Sequence, residues 1–577
     1  MAFKLKTPES VESFRRRLAE VDALPQLAAL GMLTGLVTAA VILSFRWVVE
    51  LCLGLLPGND IENFEGLDLS TRIILIMGGA VTLGVLLNRY SPSARRVGVV
   101  HVMERLSLHQ GRLPLKNALI QFLGGAIALT TGQSGGREGP AIHLGATAAS
   151  LLGQQFKVPN NSLRTLVACG TAAAIASSFN TPIAGVIFAM EVVMMEYTIG
   201  SFIPVIIAAV TSTILTQVFF STEVAFTTGA AFNYSIAELP YLLLVGILIG
   251  AVAAGFTQLI QRFARLVDLP FWLRLVLAGS ITAAASVLFP QVMGVGYDTV
   301  NDIMLTQLSI VLLIALAFAK LVTSAAAVGL GMPVGLIGPT FFIGATMGGV
   351  FGNMLQFWTD SDVSVGFYVM LGMCAMMGAV LQAPLAALMA VLEMTTNTQM
   401  ILPAMLTIVV ATMTNSQVFR QKSVFISTLN TLGLQYPPSP VTLHLQRVGV
   451  ASIMDRDFVR LPEQVDQAQA QQALDAKPNW IVVGGDQIKA LLNPADLAVF
   501  LAERGAEEES INLMQLPGQR MDVTTISSQA TVMQLQNALD KTGAEACCVT
   551  RTTAPMIAPV VGVVTQSHIN NYRDNVQ

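Results

Sequence analysis

Hydrophobic positions along the chain fall into two regimes. From Leu24 to Val418 they form long runs, among them LAALGMLTGLVTAAVILSF (27–45), IILIMGGAVTLGVLL (73–87), FIPVIIAAVTSTILTQVFF (202–220), YLLLVGILIGAVAAGF (241–256) and ILPAMLTIVVATMT (401–414). Apolar helices of about 20 residues cross a bilayer, so these runs predict transmembrane helices. Residues 140–153 and 182–195 are apolar but short or broken by glycine, which predicts broken or re-entrant helices. The composition shifts near Gln421, and past Pro437-Pro438-Ser439-Pro440 short apolar stretches alternate with polar ones in the manner of an α/β unit.

Composition sharpens this division. Of the 577 residues, 53% are hydrophobic and 12% charged, about half the charged share of a soluble protein. The expectation is an integral membrane protein, not an enzyme and not a nucleic-acid binder. The first 23 residues carry Lys4, Lys6 and Arg15-Arg16-Arg17 and predict a cytoplasmic amphipathic helix, with both termini on the cytoplasmic side of a bacterial inner membrane. Five cysteines without regular spacing provide neither a disulfide framework nor a metal site. The predicted organisation is therefore an N-terminal helix (1–23), a membrane domain (24–430), a linker (431–447) and two small α/β modules (448–510 and 511–577).

Both large parts are internally repeated. In the C-terminal part, AQAQQALDA, WIVVGG, IKALLN and PADLAVFLAE predict helix, strand, strand, helix, and ATVMQLQNALDK, EACCVTR, PVVGVVT and SHINNY follow the same order. In the membrane part, GREGPAIHLGATAASLLG (136–153) agrees with GLIGPTFFIGATMGGVFG (335–352) at seven of 18 positions, and 170–191 aligns with 372–393, ending on Glu191 and Glu393. The halves cover about 24–220 and 235–430. Paired halves with glycine-interrupted segments at matching places are typical of transporters whose site lies between the repeats. Each Gly-x-x-Gly-Pro precedes a helical run, where proline suits the first turn and the free N–H groups and positive dipole end attract an anion. Glycines that merely let helices pack closely are the competing explanation. A carboxylate inside one of the two motifs favours an ion site.

These residues resemble the CLC family of chloride channels and chloride/proton exchangers over essentially the whole chain. Gly136-Arg137-Glu138-Gly139-Pro140 matches that family's glutamate-bearing motif, Gly335-Leu336-Ile337-Gly338-Pro339 resembles its Gly-x-Phe-x-Pro motif with Ile for Phe, and residues 94–106 occupy the place of its Gly-Ser-Gly-Ile-Pro-Glu segment. The C-terminal pair resembles tandem CBS modules. The resemblance implies an all-α membrane domain of about 18 helices in two inverted repeats, followed by an α/β CBS pair. It implies a homodimer in the lipid bilayer, with one pathway per subunit for chloride or other small anions, and no required cofactor. Glu138 would be the gate, and backbone N–H groups of Arg137, Gly139, Gly98, Leu336, Ile337 and Gly338 would line the path. An ionised carboxylate inside a membrane costs about 2.5–3.5 kcal/mol even on the lenient insertion scale and persists chiefly for function.

The chain departs from that pattern at three points. The family's anion-holding serine falls at Val97 and its tyrosine at Phe425, which removes two hydroxyls, each worth about 1.5–3 kcal/mol to a bound charge. Val192 occupies the family's proton-accepting position, beside the structural Glu191. Valine carries no proton, so the expectation is passive or weakly coupled conduction, with chloride/proton exchange second and a non-transporting sensor third. A divalent-cation pathway would need clustered acids that the membrane segments lack. His101 and His143 are each expected as separate capped or interfacial side chains, with pH sensing the alternative. Lys320 is expected to snorkel to an interface or to add positive potential to the path, and the methionines to fill core. In the C-terminal modules, the resemblance to CBS pairs implies an adenine nucleotide whose ribose would sit at Asp496 and Thr565, with His568 in place of the second aspartate; support of assembly is the alternative role.

Overall fold

A computed structural model of the chain describes residues 24–56, 64–220, 236–305, 308–359, 364–395, 398–434, 445–446, 448–485, 487–504, 510–551 and 559–574. The N-terminal helix expected over 1–23 and most of the linker lie outside the described residues. Contacts divide the chain into two units, one of residues 27–155 and 164–437, the other of 1–26, 156–163 and 438–577.

The first unit is helical. Its opening half contains α1 (Leu24–Gly54), α2 (Leu69–Asn88), α3 (Gly98–Leu108), α4 (Leu115–Thr130), α5 (Glu138–Gln155), α6 (Asn160–Phe179), α7 (Pro182–Phe188) and α8 (Ile199–Phe219). The closing half answers with α9 (Leu239–Ala264), α10 (Phe271–Leu288), α11 (Tyr297–Leu305), α12 (Ile310–Leu330), α13 (Ile337–Thr359), α14 (Val365–Leu381), α15 (Pro384–Thr395) and α16 (Ile401–Met413), and α17 (Val424–Thr431) follows. Among the described residues, eight helical segments are long and apolar enough to cross a membrane, and α7 is short, as expected of 182–195, whereas 140–153, expected to be broken or re-entrant, lies within the unbroken 18-residue α5.

Backbone detail repeats between the halves. Gly132 and Gly331, at φ +72° and +96°, end α4 and α12 in the left-handed conformation that glycine adopts freely. Asn180 and Gln382 do the same after α6 and α14 at φ +57° and +53°. The two longer helices after each motif then meet glycine to glycine. A Cβ at Gly145 would collide with the Gly170 carbonyl and one at Gly170 with that of Gly145; Gly344 and Gly372 repeat the reciprocal contact between α13 and α14.

A reciprocal exchange of caps joins the halves. The Glu191 carboxylate, in a π-helical turn (Ala189–Met194) after α7, accepts the backbone N–H groups of Leu385 and Ala386 in the first turn of α15, at 3.3 and 2.7 Å. Glu393, near the end of α15, accepts those of Ile183 and Ala184 in the first turn of α7, at 2.9 and 2.7 Å. Each acid satisfies donors that a helix start leaves open and faces its dipole. Both acids therefore serve the architecture.

Lys320 does not snorkel. Its side chain is 0% exposed, donates to the carbonyls of Val292 and Gly294 at 3.1 and 2.8 Å, and lies over the Phe342 ring. Carbonyls of an irregular segment inside the helical unit need donors, and the buried ammonium supplies one to each.

The second unit carries a six-stranded sheet in the order β1-β3-β4-β6-β7-β8. Its strands are β1 (Phe458–Leu461), β3 (Trp480–Val483), β4 (Ala490–Leu492), β6 (Arg520–Ser527), β7 (Ala546–Thr550) and β8 (Val560–Thr565), and β2 (Gln464–Val465) pairs separately with β5 (Ile511–Asn512). β1 runs parallel to β3 and β3 antiparallel to β4; β6, β7 and β8 repeat that pattern, and antiparallel β4 and β6 join the two. A short α18 (Val450–Ile453) precedes β1; α19 (Gln467–Asp475), α20 (Pro494–Arg504), α21 (Val532–Thr542) and α22 (Gln566–Asp574) complete the modules in the predicted order. α19 and α21 both start with a capping box, Asp466 with Gln469 and Thr531 with Gln534. Cys547 and Cys548 lie buried in β7, where burial pushes their thiols up to about 12 and about 11, so both are protonated core residues.

Candidate functional site

The two Gly-x-x-Gly-Pro motifs meet. Gly136 N–H donates to the Gly335 carbonyl at 2.8 Å and Gly335 N–H donates to the Gly136 carbonyl at 2.6 Å, a two-bond antiparallel bridge. The bridge sets the first turns of α5 and α13 side by side, with Pro140 and Pro339 each inside an opening turn where no partner for a proline N–H is required. Open N–H groups of two helices thus face one small volume, a polar concentration favourable to an anion.

That volume holds the Glu138 carboxylate. Glu138 is 1% exposed. A Cβ at Gly136 would run into its carboxylate, one at Gly335 would lie 2.6 Å from Oε2, and one at Gly338 3.1 Å from Oε1. Three glycines, two of them from the other half, leave the space that this side chain fills. Gly139 packs equally closely, with a Cβ there falling 2.8 Å from the Gly335 Cα. The carboxylate stands where the converging helix ends would hold a free anion.

Tyr297, the first residue of α11, adds a partner the sequence did not single out. Its hydroxyl donates to Glu138 Oε1 at 3.2 Å, and both side chains are buried. The Arg137 guanidinium lies 5.3 Å from the centre of the Phe179 ring and 5.8 Å from that of Tyr297, a cation over two aromatic faces. Beside Arg137 a cavity of about 230 Å³ is lined also by Arg46, Glu50, Ser178, Gly294 and Val295. Arg46 Nε pairs with Glu50 Oε1 at 2.6 Å. Two arginines and one glutamate leave this vestibule with a positive excess.

The remaining predicted positions are more dispersed. Val97 caps α3 without a side-chain bond, Gly98 follows at φ +76°, and Val97 packs with the cluster of Ala94 and Ile120. Phe425 lies in the first turn of α17, 3% exposed, in the same core as Leu336 and Ile337. Neither supplies a hydroxyl, as the sequence requires. Val192 lies in the π-helical turn, 5% exposed, and offers no titratable atom. Asp496 accepts the Gln519 N–H at 3.2 Å, and the Thr565 hydroxyl bonds Ser567 and His568 Nδ1 at 2.6 and 2.8 Å.

His101 and His143 are not separate. His101 Nδ1 and His143 Nε2 lie 2.8 Å apart, in side chains 4% and 0% exposed. The usable signal was that each falls about one turn into a helix whose start belongs to a motif, but nothing in the sequence aims two such helices at one another.

Residues 78–416 match the family described as "Voltage gated chloride channel". The chain is 30% identical over 392 residues to a protein of Ralstonia nicotianae named as a ClcB-like chloride channel protein, covering 66% of this chain and 91% of the relative. It is 28% identical over 415 residues to the H(+)/Cl(-) exchange transporter ClcA of Yersinia pestis, covering 69% and 86%. Among solved structures, a slow cyanobacterial Cl-/H+ antiporter aligns with TM-score 0.63 at 22% identity over 71% of this chain and 98% of its own. A eukaryotic CLC transporter aligns with TM-score 0.58 at 18% identity over 97% and 98%. These last two share the fold. With well over half of its length matched, the chain belongs to the voltage gated chloride channel (CLC) family of membrane anion-transport proteins.

Proposed function

We propose that this protein exchanges chloride for protons across a bacterial inner membrane, as a homodimer with one pathway per subunit gated by Glu138. The observation that carries the reading is the Glu138 carboxylate lodged between the starts of α5 and α13, in the place an anion would take. A carboxylate and an anion of like charge cannot share that volume, so entry of one requires neutralisation or departure of the other. Gain of a proton by Glu138 and movement of an anion then become steps of one cycle. The relatives named as H(+)/Cl(-) exchange transporters support coupling, and the passive conduction favoured by Val192 becomes the second reading, supported by relatives named as channels.

Arg137 and the vestibule would draw anions toward the site by electrostatic focusing. Backbone donors of Gly139, Leu336, Ile337, Gly338 and Gly98 would bind them, with hydroxyl help withdrawn at Val97 and Phe425. The paired α/β modules fit a tandem CBS arrangement. An adenine nucleotide there would have to displace the Gln519 N–H from Asp496.

Reconstituted into liposomes with an outward chloride gradient, the protein is expected to drive protons uphill, read by a pH electrode. Chloride flux without proton movement would replace exchange by the channel reading. In Glu138→Gln, which cannot ionise, anion flux is expected to lose its pH dependence and its coupling to protons; an unaltered pH profile would remove Glu138 from the gate.

A further inference from the structure

The described acids and bases of the helical core are mostly committed. Glu191 and Glu393 each hold two backbone N–H groups of a helix start. Lys320 holds two carbonyls, Glu104 pairs with Arg96, and Glu238 accepts the Tyr368 hydroxyl at 2.6 Å. Apart from Glu138, the buried titratable pair with an uncommitted atom is His101 with His143. Their rings share one hydrogen bond at 2.8 Å, and His143 Nδ1 is buried with no hydrogen-bond partner.

Position adds to the argument. α3 and α5 run side by side in the same direction: the histidines meet near their starts, and Ser150 of α5 bonds Gly111 O and Leu113 N, just beyond the end of α3, at 2.6 and 2.9 Å. His143 is five residues past Glu138, which is about 7.5 Å further along the helix axis. The pair lies between Glu138 and the far ends of both helices. α3 contributes Glu104 and Arg105 to its charged surroundings, with Arg96 before it and His109 after it; Arg105 Nε is bonded to Arg112 O at 2.7 Å. On the packed neighbours, α5 contributes Glu138, α6 Arg164, which donates to Leu106 O at 2.5 Å, α1 the Arg46–Glu50 pair, α4 Lys116 over the Tyr90 ring, and the π-helical turn Glu191, while α13 and α17 carry no charged residue. None of these forms an ion pair with either imidazole.

We propose that the His101–His143 pair is a proton-binding station of the transport cycle, placed beyond Glu138 along α5; this rests on the exchange reading. His101 is the positioning residue. In the tautomer in which His101 Nδ1 accepts the His143 Nε2–H, the His143 Nδ1 lone pair is bare. A proton leaving an acid or a water forms an N–H bond at His143 Nδ1 as its O–H bond breaks, and the resulting imidazolium strengthens the bond to His101, since charge-assisted bonds are roughly twice as strong as neutral ones. Loss of the proton from the same nitrogen restores the pair. No redox partner is involved.

The test is the liposome assay with chloride and proton fluxes measured together on His143→Gln and His101→Gln, each checked for folding by size-exclusion chromatography. Chloride flux is expected to stay within about threefold of the wild type while proton flux falls at least tenfold. A merely structural pair would lower both fluxes in parallel in folded protein, and that result would overturn the proposal. Coupling retained by both variants would overturn it while leaving exchange intact. Chloride movement without protons in the wild type would overturn both.

Discussion

At the scale of single residues, the site combines a fixed acceptor with a donor on another helix. The Tyr297 hydroxyl donates one buried hydrogen bond to Glu138, a bond that favours the ionised form of the carboxyl by about 1.5–3 kcal/mol. Tyr297→Phe removes the hydroxyl and keeps the ring under Arg137. The expected result is flux activation at a midpoint about one to two pH units higher, measured as anion efflux between pH 4 and 8; an unmoved midpoint would show that the hydroxyl does not hold the carboxylate. The main chemistry of this site was legible in Arg137-Glu138-Gly139 and its echo at 336–338, because the repeat located both helix starts. Tyr297 was not, since GVGYDTV carries no signal of what its aromatic ring faces across 159 residues of chain. The histidine pair stayed hidden for the same reason: periodicity assigns a face of a helix but not the helix opposite.

Among elements, the closest approaches are made by glycines. α13 and α14 touch where Gly344 and Gly372 oppose each other's carbonyls, so a methyl group at either requires the helices to separate. Gly372→Ala is expected to abolish monodisperse protein in detergent, while Gly255→Ala, whose Cβ would meet nothing within 4 Å in mid-α9, is expected to leave the protein intact and add up to about 1 kcal/mol from helix propensity. Size-exclusion profiles and thermal unfolding of the two variants distinguish packing from propensity; equal behaviour would contradict the close approach. The long helices followed from the apolar runs, and the short α7 from the broken stretch at 182–195. The swapped caps did not, although Glu191 and Glu393 align in the repeat, because alignment shows equivalence and is silent about reciprocity. The strand order of the C-terminal sheet was legible only as two modules; the β4–β6 join depends on a pairing between them.

For the whole molecule, the halves are incomplete without one another. α5 and α13 share their starts through the Gly136–Gly335 bridge, and α7 and α15 exchange carboxylates. These contacts depend on both halves and on no particular linker between them. Residues 1–228 and 229–577 co-expressed as separate chains are therefore expected to co-purify and restore anion flux in liposomes, and failure of the halves to associate would show that covalent linkage is required. The same bridge sets an order of events during synthesis. Its two ends are nearly 200 residues apart, and a contact of that separation forms late because the loop entropy must be met first. As the ribosome releases the first half into the membrane, the start of α5 has its own charge and no counterpart. An anion site between the two motifs would therefore be completed only when residue 335 has joined residue 136.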